Sequence, residues 1–308
     1  MNKTVNHTQS FQTTQEDSAS PLVFSQLMDK YLAKKKDLWQ PSTYAKVKQA
    51  INKHLIPVFG NRPIISITSK EWFEFFSAKQ VNEQIYNQVN KLISLCIGAY
   101  DLAKFKGEIN HNPLQNIRIF LEQKPSNRMK HIDIHELPDL IACIRDYSQR
   151  SAAIALELLI HLFPRPIDLR TAKWVQFDFE NDIWTNVVHV VPLSTHVKQL
   201  LSELKELSGS GSKYLFPSNK NIHKPMSDGE FKLALNNLGY KGRQTLFGFR
   251  YLAAMHLYER FSDRGFIIAA ALGHVTDRVR SAHFRNTYIK ERAEVMQWWS
   301  DYIESLLK

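Results

Sequence analysis

The sequence predicts a mainly α-helical protein with a small β-sheet, divided into an N-terminal four-helix domain and a mixed α/β second domain. Three observations carry that expectation. From Pro21 onward, apolar residues recur at three- and four-residue spacing through most of the chain. One stretch, FDFENDIWTNVVHVVPLS at 177–194, instead alternates apolar and polar residues and is rich in valine, a strand pattern. Near the middle, EQKPSNRMKHI at 122–132 interrupts the helical spacing with Pro, Ser and Asn, and 308 residues are enough for about two domains.

The elements follow in order. Residues 1–20 are polar and aperiodic, and are expected to be a disordered lead-in. The first domain spans 21–121. Its first helix carries Phe24, Leu27, Met28, Tyr31 and Leu32 on one face. A second begins after Pro41-Ser42, with Ser42 as N-cap, and ends near Gly60. A third starts at SITSKEWFEFF, capped by Thr68 or Ser69. The fourth runs from about Asn82 to Phe105, with Ile85, Val89, Leu92, Ile93, Cys96 and Tyr100 inward, and HNPLQNI closes the domain. Residues 122–132 form a basic linker through Lys124, Arg128 and Lys130, either a solvated loop or a band against a polyanion. In the second domain, 133–308, helices are expected at 135–149, 151–163, 165–173, 195–208, 227–239, 246–261, 264–273 and 289–307.

Composition narrows the function. Hydrophobic residues make up 44% and charged residues 23%, which is ordinary for a globular chain. The net charge of +10 favours a polyanionic partner, because each phosphate neutralised releases condensed counterions. Cys96 and Cys143 both sit in apolar helical patterns and read as packed thiols in a reducing compartment. No apolar run approaches the ~20 residues of a membrane span, and no signal-peptide pattern opens the chain. The expected location is the cytoplasm, in a bacterial-type cell, with association to the nucleoid.

Chemistry on a phosphodiester builds negative charge on non-bridging oxygens, and guanidinium forks neutralise such charge with paired hydrogen bonds. HLFPRPIDLRTAKW offers Arg165, opening a helix at a proline, with Asp168 one turn on to orient it or to cap the helix. LFGFRYLAAMHL offers Arg250 on an otherwise apolar face, and AAALGHVTD offers His274 after Gly273. Singly each has a structural alternative: an Arg165–Asp168 ion pair, a snorkelling Arg250, a His274 helix cap.

Taken as an ordered set, these segments resemble the tyrosine recombinase (phage integrase) family, especially the integrases of prophages and genomic islands. The likeness covers about residues 21–307. PSTYAKVKQAINKHLIPVFGNRPIISIT and NHNP resemble the family's helical core-binding domain. RPIDLRTAKWVQFDFENDIW resembles its first arginine box, VVPLS the strand and helix start that follow, and LFGFR with LGH its second box; QWWSDYIESL resembles the island integrases' last helix. The resemblance implies a DNA-binding core domain joined to a recombinase catalytic domain, closing as a clamp on duplex DNA. It also implies strand cleavage and rejoining through a 3′-phosphotyrosyl link, with no metal or other cofactor. Arg165, Arg250 and His274 match family positions that hold the phosphate, and Asp168 matches the acidic residue after the first arginine.

Three positions depart from the pattern. His-x-x-Arg reads Phe247-Gly248-Phe249-Arg250, so phenylalanine replaces a histidine. No Lys or Arg lies between Trp184 and Pro192, where the family's hairpin presents its lysine. The nucleophile's place, nine residues after His274, holds His283. Phe247 cannot donate to an oxygen or move a proton, and a missing general acid is worth ~10²–10⁴-fold. Tyr288 keeps a tyrosine's chemistry, but five helical residues turn it about 140° from His283. The expectation is therefore a degenerate recombinase homologue that binds a specific duplex site as an accessory, targeting or regulatory factor of a mobile element. The alternatives are an active recombinase with Tyr288 or His283 as nucleophile, and a protein–protein module that has dropped DNA. Lys34, Lys35, Lys36, Lys46, Lys48 and Lys53 are the first domain's candidate backbone contacts, or else a solvated basic face. In 289–307, Val295, Met296, Trp299, Tyr302, Ile303 and Leu306 form a stripe that reads as core packing, or as a surface for self-association or for pairing with an active recombinase or transposition protein.

Overall fold

The computed structural model describes residues 21–124, 129–186, 190–208, 211–274 and 288–307. The expectations for residues 1–20, Arg128 and His283 fall outside them. The chain separates into two compact units with the divide after Ser126.

Unit 1 is helical: α1 (Phe24–Lys35), α2 (Pro41–His54), α3 (Ile56–Phe59), α4 (Ser69–Glu83) and α5 (Tyr86–Phe105). An aromatic centre holds it. Trp72 stacks on Phe76 with ring centroids 5.5 Å apart, lies 4.2 Å from Phe59, and meets Phe24 at 5.5 Å. Such contacts add to the area that large rings bury. Thr68 caps α4 through a reciprocal box with Glu71, and Arg62 bonds the same carboxylate at 2.6 Å. The second helix differs from the sequence expectation: it ends at His54, a separate one-turn helix reaches Phe59, and its N-cap is Gln40 because Pro41 takes the first helical position. The third and fourth helices divide at Gln84, whose left-handed φ of 53° breaks the run, so α5 starts at Tyr86.

Unit 2 is built around α7 (Arg150–Leu162), which is buried on every side from Ala152 to Leu162. A helix apolar all round belongs in a core, and α6 (Leu137–Arg145), α8 (Pro166–Arg170), α9 (Thr195–Ser208), α10 (Asp228–Leu235), α11 (Leu246–Arg260) and α13 (Ile289–Ser305) pack against it. A short α12 (Gly265–Ala271) lies between α11 and α13. β1 (Phe177–Asp178), β2 (Ile183–Thr185) and β3 (Val190–Pro192) form an antiparallel sheet in that order, with Trp184 opposite Val191. A second, two-stranded ribbon, β4 (Pro217–Ser218) and β5 (Asn221–Pro225), has no counterpart in the sequence expectation.

Several expectations need correction. Most second-domain helices are shorter than their apolar patterns; 227–239, for instance, ends as an α-helix at Leu235 and finishes in a wider turn with Gly239 at φ 85°. Cys143 is exposed, while Cys96 is buried. The linker is narrower than 122–132: Gln80 bonds the Glu122 carbonyl and Lys124 lies 4.1 Å over the Tyr86 ring, while the Lys130 carbonyl and the Ile132 amide are bound to Thr245 and Gln244. The α13 stripe is spent inside the unit. Val295, Met296, Trp299 and Ile303 are buried, with Tyr302 and Leu306 partly buried against the same core.

α13 is also held by polar bonds. The Trp299 indole donates to the Ile160 carbonyl at 2.9 Å. The Ser194 hydroxyl donates to Ser300, Ser300 meets His161 Nδ1 at 2.8 Å, and His161 Nε2 lies 3.5 Å from Glu304. This serine–histidine–glutamate line is sealed, with His161 and Ser300 buried, so it is a strut without access for a substrate. The His161 bond, joined by the Arg145 guanidinium, holds the Glu304 carboxyl down at about 2 from an ordinary 4.5. A depressed carboxyl contributes stability that is complete above the unfolded value and is lost as pH falls through the folded one. Chemical unfolding of the wild type should therefore weaken between pH 4.5 and about 2, and Glu304→Gln should show a shallower loss over that window.

Candidate phosphate-binding site

Four chain segments of unit 2 meet where the sequence places its arginines. α7 ends at Phe163, whose left-handed φ of 38° turns the chain, and Pro164 prevents the helix from resuming. Arg165 follows as the N-cap residue of α8, with Pro166 at the first helical position. Arg250 lies one turn into α11, capped by Thr245. α12 ends in a Schellman turn: Gly273 at φ 62° donates to Ala270, and His274 donates to Ala269.

The guanidiniums lace these ends together. Arg250 Nη1 donates to the Phe163 carbonyl at 3.1 Å and its Nη2 donates to the Leu272 carbonyl. Arg165 Nη2 donates to the next carbonyl, Gly273, at 3.2 Å. Two cations thus share the C-terminal end of α12, where the helix dipole is negative. Neither has a carboxylate within ion-pair distance among the described residues. Burial first, and then the Arg165 charge, bring Arg250 down to about 10, with Asp168 opposing. Arg250 stays protonated at neutral pH, so two cations sit together with Asp168 acting on them through its field alone. The remaining N–H groups of the half-buried Arg165 are the donors open to an anion.

Asp168 departs from expectation. It makes neither an ion pair with Arg165 nor a side-chain cap on α8. It is a half-buried acid whose carboxyl is raised by desolvation and lowered by the two arginines, which leaves it a field partner for them. His274 keeps its side chain outward on the tight turn, and burial, then Arg250 and Arg165, push its imidazole below 6.5. At pH 7 it is neutral and can donate one hydrogen bond without adding charge.

Phe247 and Tyr288 lie on different elements. Phe247, at the second helical position of α11, is 46% exposed and fills no space in the core. Tyr288 has a left-handed φ of 60°, and its ring meets Phe266 edge-on at 5.2 Å. The described ends of the β2–β3 hairpin, Thr185, Asn186 and Val190, carry no cation. In unit 1, Lys34, Lys36, Lys46, Lys48 and Lys53 are exposed, and Lys35 lies 5.6 Å over the Tyr31 ring; none of the six makes an ion pair with a described carboxylate.

The carbonyl anchors at Phe163, Leu272 and Gly273 were not foreseen from sequence; the left-handed turn at Phe163 leaves no residue-type signal beyond the following proline. Gly248 was also passed over. A Cβ there would strike the Lys130 carbonyl and come within 2.8 Å of Gln244 Nε2, so the FGFR segment needs a residue without a side chain for the chain at Lys130 to lie close.

Comparison with known proteins gives consistent results. The family described as "Phage integrase, N-terminal SAM-like domain" matches residues 23–79. The integrase of Shigella phage Sf6 is 23% identical over 297 residues, covering 92% of this chain and 76% of its own. The prophage integrase IntZ of Escherichia coli K12 is 26% identical over 294 residues, covering 92% and 72%. A lambda integrase tetramer bound to a Holliday junction superposes with a TM-score of 0.69 at 19% identity, over 87% of this chain and 78% of that one, a likeness of fold.

Two outcomes test the geometry. Arg250→Ala should lower the unfolding free energy by about 2–4 kcal/mol, because two carbonyls lose their partner, whereas Arg165→Ala should cost about 1 kcal/mol; denaturant titration of both reads the difference. An anion bound beside His274 should raise its pKa, so affinity for a short duplex should climb as pH falls from the bound value toward the depressed free one and level off below it, and His274→Gln should flatten that limb in an anisotropy titration from pH 8 to 5.5.

Proposed function

This chain belongs to the tyrosine recombinase family, and from that premise we propose that it binds a specific duplex DNA site without cutting it, as an accessory, targeting or regulatory factor of a mobile element. The observation that supports the binding half is the paired guanidinium centre, Arg165 and Arg250, anchored on the Gly273 and Leu272 carbonyls with no carboxylate within ion-pair distance among the described residues. A phosphodiester supplies the missing charge. Arg165 donates to one non-bridging oxygen, neutral His274 is placed to donate to another, and Arg250 supplies field from behind. The unpaired lysines of α1 and α2 add sequence-independent contacts to the backbone.

The non-cutting half rests on groups that strand scission needs. An attacking oxygen must form a bond to phosphorus while the 5′ oxygen leaves with a proton. Phe247 stands where the family has a histidine, no lysine lies between Trp184 and Pro192, and His283 occupies the position of the attacking tyrosine. A histidine there would make a phosphoramidate, an intermediate different from the family's 3′-phosphotyrosyl link. The Tyr288 ring is engaged with Phe266.

A site selected from a pool of random duplexes tests both halves. Binding should weaken steeply with salt, and Arg165→Ala should reduce affinity by about 1–3 kcal/mol, the scale of a charge-assisted contact. A nicked version of that site should yield no covalent protein–DNA product. A covalent band lost in Tyr288→Phe or His283→Ala would replace this reading with an active recombinase that uses a relocated nucleophile. A flat salt response would leave a protein–protein module.

A further inference from the structure

We infer that the β4–β5 ribbon, with the segment leading into it, is a second phosphate-contacting element, which carries Lys213, Lys220 and Lys224 onto the same duplex whose phosphate the arginine pair holds. The inference rests on the DNA-binding reading above and extends it to a surface that reading does not use.

The turn and most of β5 are exposed, while β4 and Pro225 are half-buried. Residues 219–224 are all exposed, and both faces of β5 are polar apart from Ile222. An isolated two-stranded hairpin is marginal in water, and this one is held at its base. Leu215 donates to the Ala172 carbonyl at 3.0 Å, Trp174 donates to the Lys213 carbonyl at 3.1 Å, and Arg170 reaches the Met226 carbonyl at 2.6 Å. Leu215, Phe216 and Met226 are buried beneath it. Both legs are therefore stitched to residues 170–174, the continuation of the helix that Arg165 opens. Ribbon and arginine pair share one rigid frame.

The charge on this element is one-sided. Lys213, Lys220 and Lys224 form no ion pair with any described carboxylate. Of the acids at the ribbon's foot, Asp228 is paired with Lys232 at 2.6 Å, and Glu230 is engaged in capping at Ser227, with Lys220 contributing to the lowering of its carboxyl. Lys213 extends over the Tyr214 ring. At about 3.3 Å per residue, the five residues of β5 reach about 17 Å from the stitch. Successive phosphates on one strand advance ~3.4 Å along the axis, so the length of β5 matches about five phosphate steps. Lysines on a flexible stem suit point contacts to phosphate, and a two-stranded ribbon is narrow enough to follow a groove edge.

The test uses the full chain, a fluorescent 30-base-pair duplex and anisotropy over a sodium chloride series. Each phosphate contact contributes ~0.9 to the slope of log affinity against log salt. Replacing Lys213, Lys220 and Lys224 together by Gln should lower that slope by about 2.7, and replacing them by Arg should restore it. Arg165→Ala with the ribbon intact should lower the slope by only about 0.9. Should the triple Gln variant melt below the wild type, the three single Gln variants serve instead, each expected to remove about 0.9. A steep wild-type slope left unchanged by the Gln variants overturns the ribbon inference alone. A wild type without salt-dependent binding overturns it together with the DNA-binding reading.

Discussion

The Arg250 guanidinium, 8% exposed and bound to two main-chain carbonyls from different helices, is the constraint on which unit 2 depends. Burying an ion is expensive unless its hydrogen bonds are made. Here they are made by the Phe163 and Leu272 carbonyls, groups left over where α7 and α12 stop. One side chain therefore satisfies two helix ends and fixes the positions of Arg165 and His274 beside them. The anion centre is a by-product of how three helices terminate.

That origin explains what the sequence disclosed and what it withheld. The existence of most helices, the strand-like stretch at 177–194 and the arginine–arginine–histidine set can be read from periodicity and motif order, because apolar spacing and turn residues act locally. Boundaries are less legible. Gln84 and Phe163 take left-handed conformations that glycine or asparagine would have advertised, and Pro41 acts as a helix's first residue where Ser42 looked like the cap. The β4–β5 ribbon escaped notice because its pairing depends on the long-range stitch to residues 170–174, and its exposed polar sequence carries no alternation. Cys143 misled for a related reason: α6 has an apolar face on Leu140, Ile141 and Ile144, and a small residue beside that face looks buried in a one-dimensional pattern.

The site itself was half legible. Which residues converge was evident from the boxes; how they are held was not. Asp168 invited an ion pair with Arg165, yet the arginines are oriented by main-chain carbonyls, and the acid acts through its field alone. The α13 stripe was open to two readings, and the indole bond from Trp299 to α7 together with the Ser194–Ser300–His161 line decides for the core.

Phe247 and Arg250 stand three residues apart on one helix under opposite mechanical demands. The arginine is a rivet, and any chain of this architecture that discards it must rebuild two helix ends at once. The phenylalanine holds nothing, so its position can change identity without consequence for folding. A substitution at residue 247 therefore leaves the frame intact, while Arg250 is retained for the two helix ends it binds whatever the chain's chemistry.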